Sequence, residues 1–587
     1  MGIPLPGILR RGILVAAAAA VLTVVPARDA GAVGTPLTPA EIQLLIDRTV
    51  HFARRVAGAD PLSIAVVDVE GNSLGVFHMN GSLGCRSVVL AKAATASYFS
   101  SDQQSFTTRT AAFIIQDHFP PGVRFQGAGP LYGVEFSSLA ASDVNPVYFP
   151  GPAPGALCLN EPSDVNPLPE GAQARVRGEL GAVALFKNGK RVGALAVDDG
   201  GDNRITIPTG GILIPGERYR LTHGNLENGR RLEKVVQAAA RPFLPPAYLR
   251  SNTILVGGIR LPFAKGSSLK AGTIVPVVPG LDGDFDIDYP ARDPSTLPSR
   301  FTPLTINPPP SAGPGADPAD GSRPVAYPII AGTDGFLSVA DVQRLLWQGA
   351  RAAGATRAAI RRPIGLAMQC WVSVVDTKGE VLGVYRTPDA TLFSYDVAVQ
   401  KARTAVLFSD AQAAWSSRAV GLFAQGFYPA GQQQKGVVGP LFQLQDGISV
   451  GLLFGELGAP ADGRFRNGIT IFPGGVPLYR NGVLVGGVGV SGDGVDQDDL
   501  AADAASDGFG APGSIRCDFL GEGQIRGSLG RALDRLDAAA PAGPPGTGLD
   551  FFREQLNRCR TRLSNMTLDV GPSYVKLPRH PGPVTVR

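Results

Sequence analysis

Two patterns of chemically capable side chains each occur twice in this chain. Lys92 precedes Thr95 in Ala91-Lys-Ala-Ala-Thr95, and Lys401 precedes Thr404 in Gln400-Lys-Ala-Arg-Thr404. On a helix this spacing puts ammonium and hydroxyl on one face, one turn apart. Such a face can hold an anionic group; equally, the lysine can be solvated and the threonine structural. Arg109 and Arg418 recur in the same way, and can bind an anion or tie down a helix. A third pattern is acidic. Asp282, Asp284, Asp286 and Asp288 alternate, and in an extended segment they would line one strand face and repel unless a cation sat there. Calcium suits oxygen ligands in an exported chain. The segment lacks the glycine of an EF-hand loop, and a plain polar loop also fits it.

Other catalytic signatures are sparse. His51, His78, His118, His223 and His580 are the only histidines, and none lies between 335 and 510. No H-E-x-x-H zinc motif and no Gly-Lys-Ser/Thr phosphate loop occurs. The net charge of +4 is spread without a basic run, so no nucleic-acid surface is indicated. Cys85, Cys158, Cys370, Cys517 and Cys559 make an odd count, which leaves at least one thiol unpaired. Cys85 with Cys158 and Cys517 with Cys559 are the pairings suggested by nearness in the chain. Cys370 sits in an apolar run and reads as a buried thiol.

These residues need a frame, and 587 residues imply two or three domains. Residues 1–32 run from Arg10-Arg11 through an apolar stretch to Ala30-Gly-Ala32, the order of a secretory signal peptide. The stretch is too short to span a bilayer comfortably, and no later segment is apolar enough to span. A secreted or periplasmic protein is expected. The remainder reads as one unit written twice, over 36–203 and 335–510. Leu37-Thr-Pro-Ala-Glu-Ile returns as Leu337-Ser-Val-Ala-Asp-Val, each a helix start with Thr38 or Ser338 as N-cap. Val66-Val-Asp68…Gly71…Leu74-Gly-Val returns as Val374-Val-Asp376…Gly379…Leu382-Gly-Val, a strand hairpin. The Lys-Ala helix and a second helix follow. Last come Leu185-Phe-Lys-Asn-Gly189 and Leu478-Tyr-Arg-Asn-Gly482, where Asn-Gly marks a two-residue hairpin. Strands and helices do not alternate singly, so the fold class is α+β with antiparallel sheets. Residues 204–330 have no counterpart in the second copy and end in a Pro-rich linker. Residues 511–587 form an extension with one helical stretch near 548–564.

The order of these pieces resembles the GlcG/HbpS-like haem-binding family. The closing Gly474-Gly-Val-Pro-Leu…Asn-Gly…Val-Gly-Gly-Val-Gly-Val-Ser-Gly492, leading into Asp496-Gln-Asp-Asp, carries the resemblance most strongly. The first copy departs from it with Val197-Asp-Asp-Gly-Gly201. The resemblance implies two profilin-like domains, each a five-stranded antiparallel sheet with helices on both faces. It also implies self-association and, in some members, binding of haem or haem-derived iron. The copies would then pair within the chain, or the chain would form homo-oligomers.

Haem needs an axial donor and an apolar slot. The second copy has no histidine, which excludes a His-ligated site there. In the first copy His78 is the axial candidate; a strand-end histidine facing solvent is the alternative. Met79 points to the opposite strand face and cannot join it on one iron. On this reading Lys92 or Lys401 would meet a propionate and Thr95 or Thr404 would donate a hydrogen bond. The function expected is a non-catalytic, exported haem or tetrapyrrole binder. The alternatives are a scaffold of paired domains without a ligand, or an enzyme acting on a small organic substrate.

Overall fold

The computed structural model describes residues 35–116, 178–200, 223–285, 329–426, 438–453, 463–540, 547–568 and 570–575, with shorter stretches between 119 and 144 and residues 176 and 428. The expected leader, the Pro-rich linker, Asp286, Asp288, His118, His580 and Cys158 lie outside the described residues.

The chain is mixed α+β with antiparallel sheets. Helix α1 (Pro39–Ala53) starts at Thr38, whose hydroxyl accepts the Glu41 N–H while the Glu41 carboxylate accepts the Thr38 N–H at 2.8 Å. Helix α5 (Val339–Ala355) starts in the same way at Ser338 and Asp341. Each reciprocal pair satisfies two orphan donors at the helix start. Next come β1 (Ser63–Val67), β2 (Ser73–Met79), α2 (Arg86–Tyr98), α3 (Thr108–Ile114), β3 (Ala182–Lys187) and β4 (Lys190–Asp198). Helix α4 (His223–Ala239), the short β5 (Leu255–Val256) and β6 (Ile259–Arg260), and β7 (Gly283–Phe285) precede α5. The second set runs β8 (Cys370–Val375), β9 (Val381–Arg386), α6 (Ser394–Phe408), α7 (Ser417–Phe423), α8 (Leu444–Leu453), β10 (Gly475–Arg480), β11 (Val483–Gly492) and α9 (Val495–Ala505). Helices α10 (Glu522–Ala539) and α11 (Thr547–Asn565) close the chain.

One sheet has the order β3-β4-β1-β2-β7 and the other β10-β11-β8-β9. Four strands share one order in both sheets. The expectation of five strands each is corrected: among the described residues the second sheet has four. The fifth strand of the first sheet, β7, comes from the 204–330 segment and pairs with β2. Both Asn-Gly pairs form two-residue loops, closing between Lys187 and Lys190 and between Arg480 and Val483. All four turn residues have positive φ (50° and 79°, then 53° and 80°), the geometry that matches strand twist.

Strand alternation sends side chains to two faces. In the first sheet Ile64 and Val66 join α1 and α4, while Ala65 and Val67 join α2. In the second, Val372 and Val374 join α5 and α9, while Trp371 and Val375 join α6. Helix α4 therefore covers the first sheet as α9 covers the second, with Arg48 of α1 donating to Ala238 O and Ala239 O at its end, both at 2.7 Å. The segment after 203 has no sequence counterpart in the second copy, yet its α4 occupies the layer that α9 fills. It was not visible because nothing in its sequence resembles α9.

The glycines of Gly486-Gly-Val-Gly489 have a packing reason. A Cβ on Gly489 would overlap Ala398 O, and one on Gly487 would press on Ala402 O, both carbonyls of α6. The aligned positions in the first sheet are Ala194 and Ala196, which pack on α2. Helix α6 thus sits closer to its strand than a methyl group allows.

Helix α10 was not expected. Its Gly523, Gly527 and Gly530 lower helix propensity, yet Ile525, Leu529, Ala532, Leu533 and Leu536 form a buried stripe. Cys85 is disulfide-bonded. The pairing of Cys517 with Cys559 is corrected: both are buried free thiols, as is Cys370. Among the described residues no helix is long and apolar enough to cross a membrane.

Gly489→Ala is expected to lower stability by about 2–3 kcal/mol, because the new methyl must push α6 away. Urea denaturation of the full chain reads this directly. Unchanged stability would mean that α6 is not seated through that glycine.

Candidate functional site

Helices α2 and α6 are buried along their whole length, so their lysines cannot reach water. Lys92 donates to Asp198 Oδ1 at 3.0 Å with both side chains at 0% exposure. Lys401 donates to Asp498 Oδ2 at 2.7 Å and to Val490 O at 2.8 Å, and lies over the Phe472 ring. A buried ammonium needs a counter-charge, and the two lysines take theirs from different elements, the end of β4 and α9. Burial pulls Lys92 down, but Asp198 and its acidic neighbours more than reverse this, so it titrates above the usual lysine range. For Lys401 burial wins over Asp498 and the direction is down. Burial pushes the Asp498 carboxyl up to about 7 against the pull of Lys401.

The threonines are tied to backbone. Thr95 donates to Ala91 O at 2.7 Å, and Thr404 Oγ1 accepts the Thr470 N–H at 3.0 Å. Arg109 clamps Glu233 of α4 through two bonds of 2.7 and 2.5 Å. Arg418 grips Asp499 and, at 2.6 Å, Asp496, both on α9. The recurring arginines thus fasten α4 and α9 to their sheets. His78 Nδ1 lies 2.8 Å from Ser63 Oγ at the end of β2. Asp282 accepts from Arg54 at 2.8 Å and from the Val278 N–H at 2.7 Å, and Asp284 is exposed on β7 opposite His78. Among the described residues no three His, Cys, Asp or Glu side chains come together as a metal site.

A cavity of about 200 Å³ lies at the seam between the two sets of elements. Phe99, Phe106 and Leu131 line it from the first set, Phe393 and Val495 from the second, and Leu255 from the β5–β6 hairpin. Phe99 and Phe393 stack across the seam with ring centres 4.2 Å apart and planes 5° from parallel. Asp496 and Asp498 form an acidic wall. Arg418 and Lys401 hold that wall from behind, which is how two of the sequence candidates connect to the cavity. Nearby, the fully buried Arg361 bonds Asp493 and Asp389 in the second set and Gln103 and Ser101 in the first.

Phe393 and Arg361 have no counterpart in the first copy, so recurrence did not point to them. The run 493–499 reads as a dipole-favoured helix start, and only the fold turns Asp498 inward. The segment Gly447-Ile-Ser449-Val-Gly451 matches G-x-S-x-G. Ser449 lies within α8 and is buried, not at the strand-to-helix turn a nucleophile elbow requires.

Residues 347–507 match the family model described as haem degrading protein HbpS-like. The corrinoid adenosyltransferase PduO of Salmonella typhimurium is 31% identical over 150 residues, covering 25% of this chain and 35% of that one. The chain therefore spans about a third of the length of that relative. An uncharacterised 15.0 kDa protein from the dhaT-dhaS intergenic region of Citrobacter freundii is 31% identical over 137 residues, covering 23% of this chain and 73% of that one. Among solved structures, the PduOC:heme complex is similar at 24% identity, covering 30% of this chain and 94% of that one, with a TM-score of 0.20.

Lys92→Met is expected to cost about 3–5 kcal/mol by taking the ammonium from the buried Asp198 carboxylate, and Lys92→Met/Asp198→Leu to recover most of it. A denaturation double-mutant cycle measures both. A loss below about 1 kcal/mol for the single variant would show that the ammonium is not a buried structural charge.

Proposed function

This chain belongs to the HbpS-like family, and we propose that it is an exported, non-catalytic tetrapyrrole-binding protein whose two halves, 36–203 and 335–510, are profilin-like domains paired within one chain. The observation that carries the reading is the seam cavity, an apolar slot walled by stacked aromatics. Related support comes from the match of 347–507 to the family described as haem degrading protein HbpS-like, and from the order of charge, apolar stretch and small residues in 1–32.

Haem itself lacks an axial partner in the cavity. The slot supplies apolar walls, but its lining contains no His, Met, Cys or Tyr to bind iron. His78 stands apart from the cavity lining. The donor set does not fit iron ligation. On this reading the ring is held by apolar contact.

A second reading, a protein whose function is the pairing itself, is favoured by the shared apolar core. Tyr98, Phe99 and Phe106 of one half and Trp371, Phe393 and Tyr395 of the other belong to a single buried cluster.

Titration separates the two. Trp371 is buried in that shared cluster, so a tetrapyrrole in the seam should quench its fluorescence saturably. Hemin and metal-free protoporphyrin IX are both expected to quench, and Phe393→Ala to weaken binding about tenfold by removing one stacking wall. No quenching by hemin, protoporphyrin IX or biliverdin would overturn the tetrapyrrole reading and leave the pairing one.

A further inference from the structure

We propose that the seam cavity takes one terminal ring of a ring-opened, linear tetrapyrrole, whose lactam N–H donates to Asp498 Oδ1. The proposal rests on the tetrapyrrole reading and narrows it from a closed macrocycle to an opened one.

Three observations converge on it. The first is an unmet acceptor. Asp498 lines the cavity and is 2% exposed; its Oδ2 takes the Lys401 ammonium, while its Oδ1 is buried and has no hydrogen-bond partner. A buried carboxylate oxygen without a donor is costly and is a reason to look for one in a ligand. Burial holds this carboxyl up near 7, as expected for one short of a donor.

The second is size. A cavity of about 150 Å³ accommodates benzene, whereas drug-sized ligands need roughly 300–1,000 Å³. The space here, about 200 Å³, encloses one substituted five-membered ring in full and only the edge of a closed macrocycle. Phe99 and Phe393 give that ring a flat apolar wall.

The third is polarity. The ligand end that enters must be a donor, because the unserved Asp498 oxygen is an acceptor and would repel a carboxylate. In a closed macrocycle the pyrrole N–H groups point to the ring centre, or are replaced by metal, and an edge-on carboxylate cannot reach them. In a linear tetrapyrrole the terminal lactam ring can be presented end-on, with its N–H within reach of a carboxylate. The propionates would stay outside, on the side of the Leu255–Gly257 rim. There Arg362 is bonded to Thr253 O, and Arg260 extends from β6.

Biliverdin, metal-free protoporphyrin IX and hemin carry the same two propionates and differ in ring closure and metal, so they form the test series. Binding to the full chain is followed by tryptophan quenching and by the visible spectrum. Biliverdin is expected to bind at least about tenfold tighter than either closed ring, the gain of one charge-assisted bond. Asp498→Asn should cancel that preference. Lys401 would take the amide oxygen, leaving an N–H donor facing the cavity. Ala359 also lines the cavity, and Ala359→Leu, which fills it while leaving Lys401 and Asp498 unchanged, should cancel the preference too with the melting transition in place. Equal affinity for all three, or tighter hemin binding, would overturn this inference and leave the tetrapyrrole reading standing. Binding of none would overturn both.

Discussion

The guanidinium of Arg361 is buried where the two sets of elements meet, and much of the seam depends on it. It is fully enclosed, yet it bonds two carboxylates, Asp493 and Asp389, and two polar side chains of the first set, Gln103 and Ser101. A planar fork of fixed donors can do this; a lysine could not reach all of them at once. Asp493 in turn accepts the Gln369 N–H and stands one residue before Gly494, the N-cap of α9. The position of α9, and with it the acidic wall of the cavity, is therefore coupled to the first set through a buried cation. Taking away one member would strand charges in a low-dielectric interior, which is far more damaging than losing an exposed pair.

The same rule explains how the two sets resemble each other where their sequences differ. A buried cation must find an anion, but the anion can come from any element that passes. Lys92 takes Asp198 from the end of β4; Lys401 takes Asp498 from α9. Arg109 takes Glu233 from α4; Arg418 takes Asp499 from α9. The cations stay in register along α2, α3, α6 and α7, and the counter-charges come from different segments. Helix α4 and helix α9 share no sequence pattern, yet each covers a sheet face that would otherwise leave apolar residues in water.

Close approach divides the sets further. Glycine at 487 and 489 brings α6 onto its sheet, whereas alanine at 194 and 196 holds α2 one methyl away. A helix seated through glycines gains contact area with the strand below it, and its own outward side becomes available to the rest of the molecule. Every residue of α6 is buried, and its partners on that outward side include the seam core.

The sequence by itself determined what depends on neighbours a few residues apart. The capping boxes at Thr38 and Ser338, the Asn-Gly turns, the strand pairs around Asp68 and Asp376 and the recurrence of Lys92 and Lys401 were all legible, because each is closed by contacts within one turn or hairpin. The recurring cations were legible as special, though not as ion-paired. Arg109 and Glu233 are 124 residues apart, and Lys401 and Asp498 are 97 apart. No local pattern states such a pairing. Only the tertiary structure decided that α4 stands where α9 does, that Cys517 and Cys559 stay apart, and that Phe99 meets Phe393. It also turned Asp498 from an ordinary helix-start acid into a buried wall with one oxygen unserved. The reason is physical: burial sets the energy of a charge or an apolar surface, and burial is a property of the assembled layers, not of any one segment.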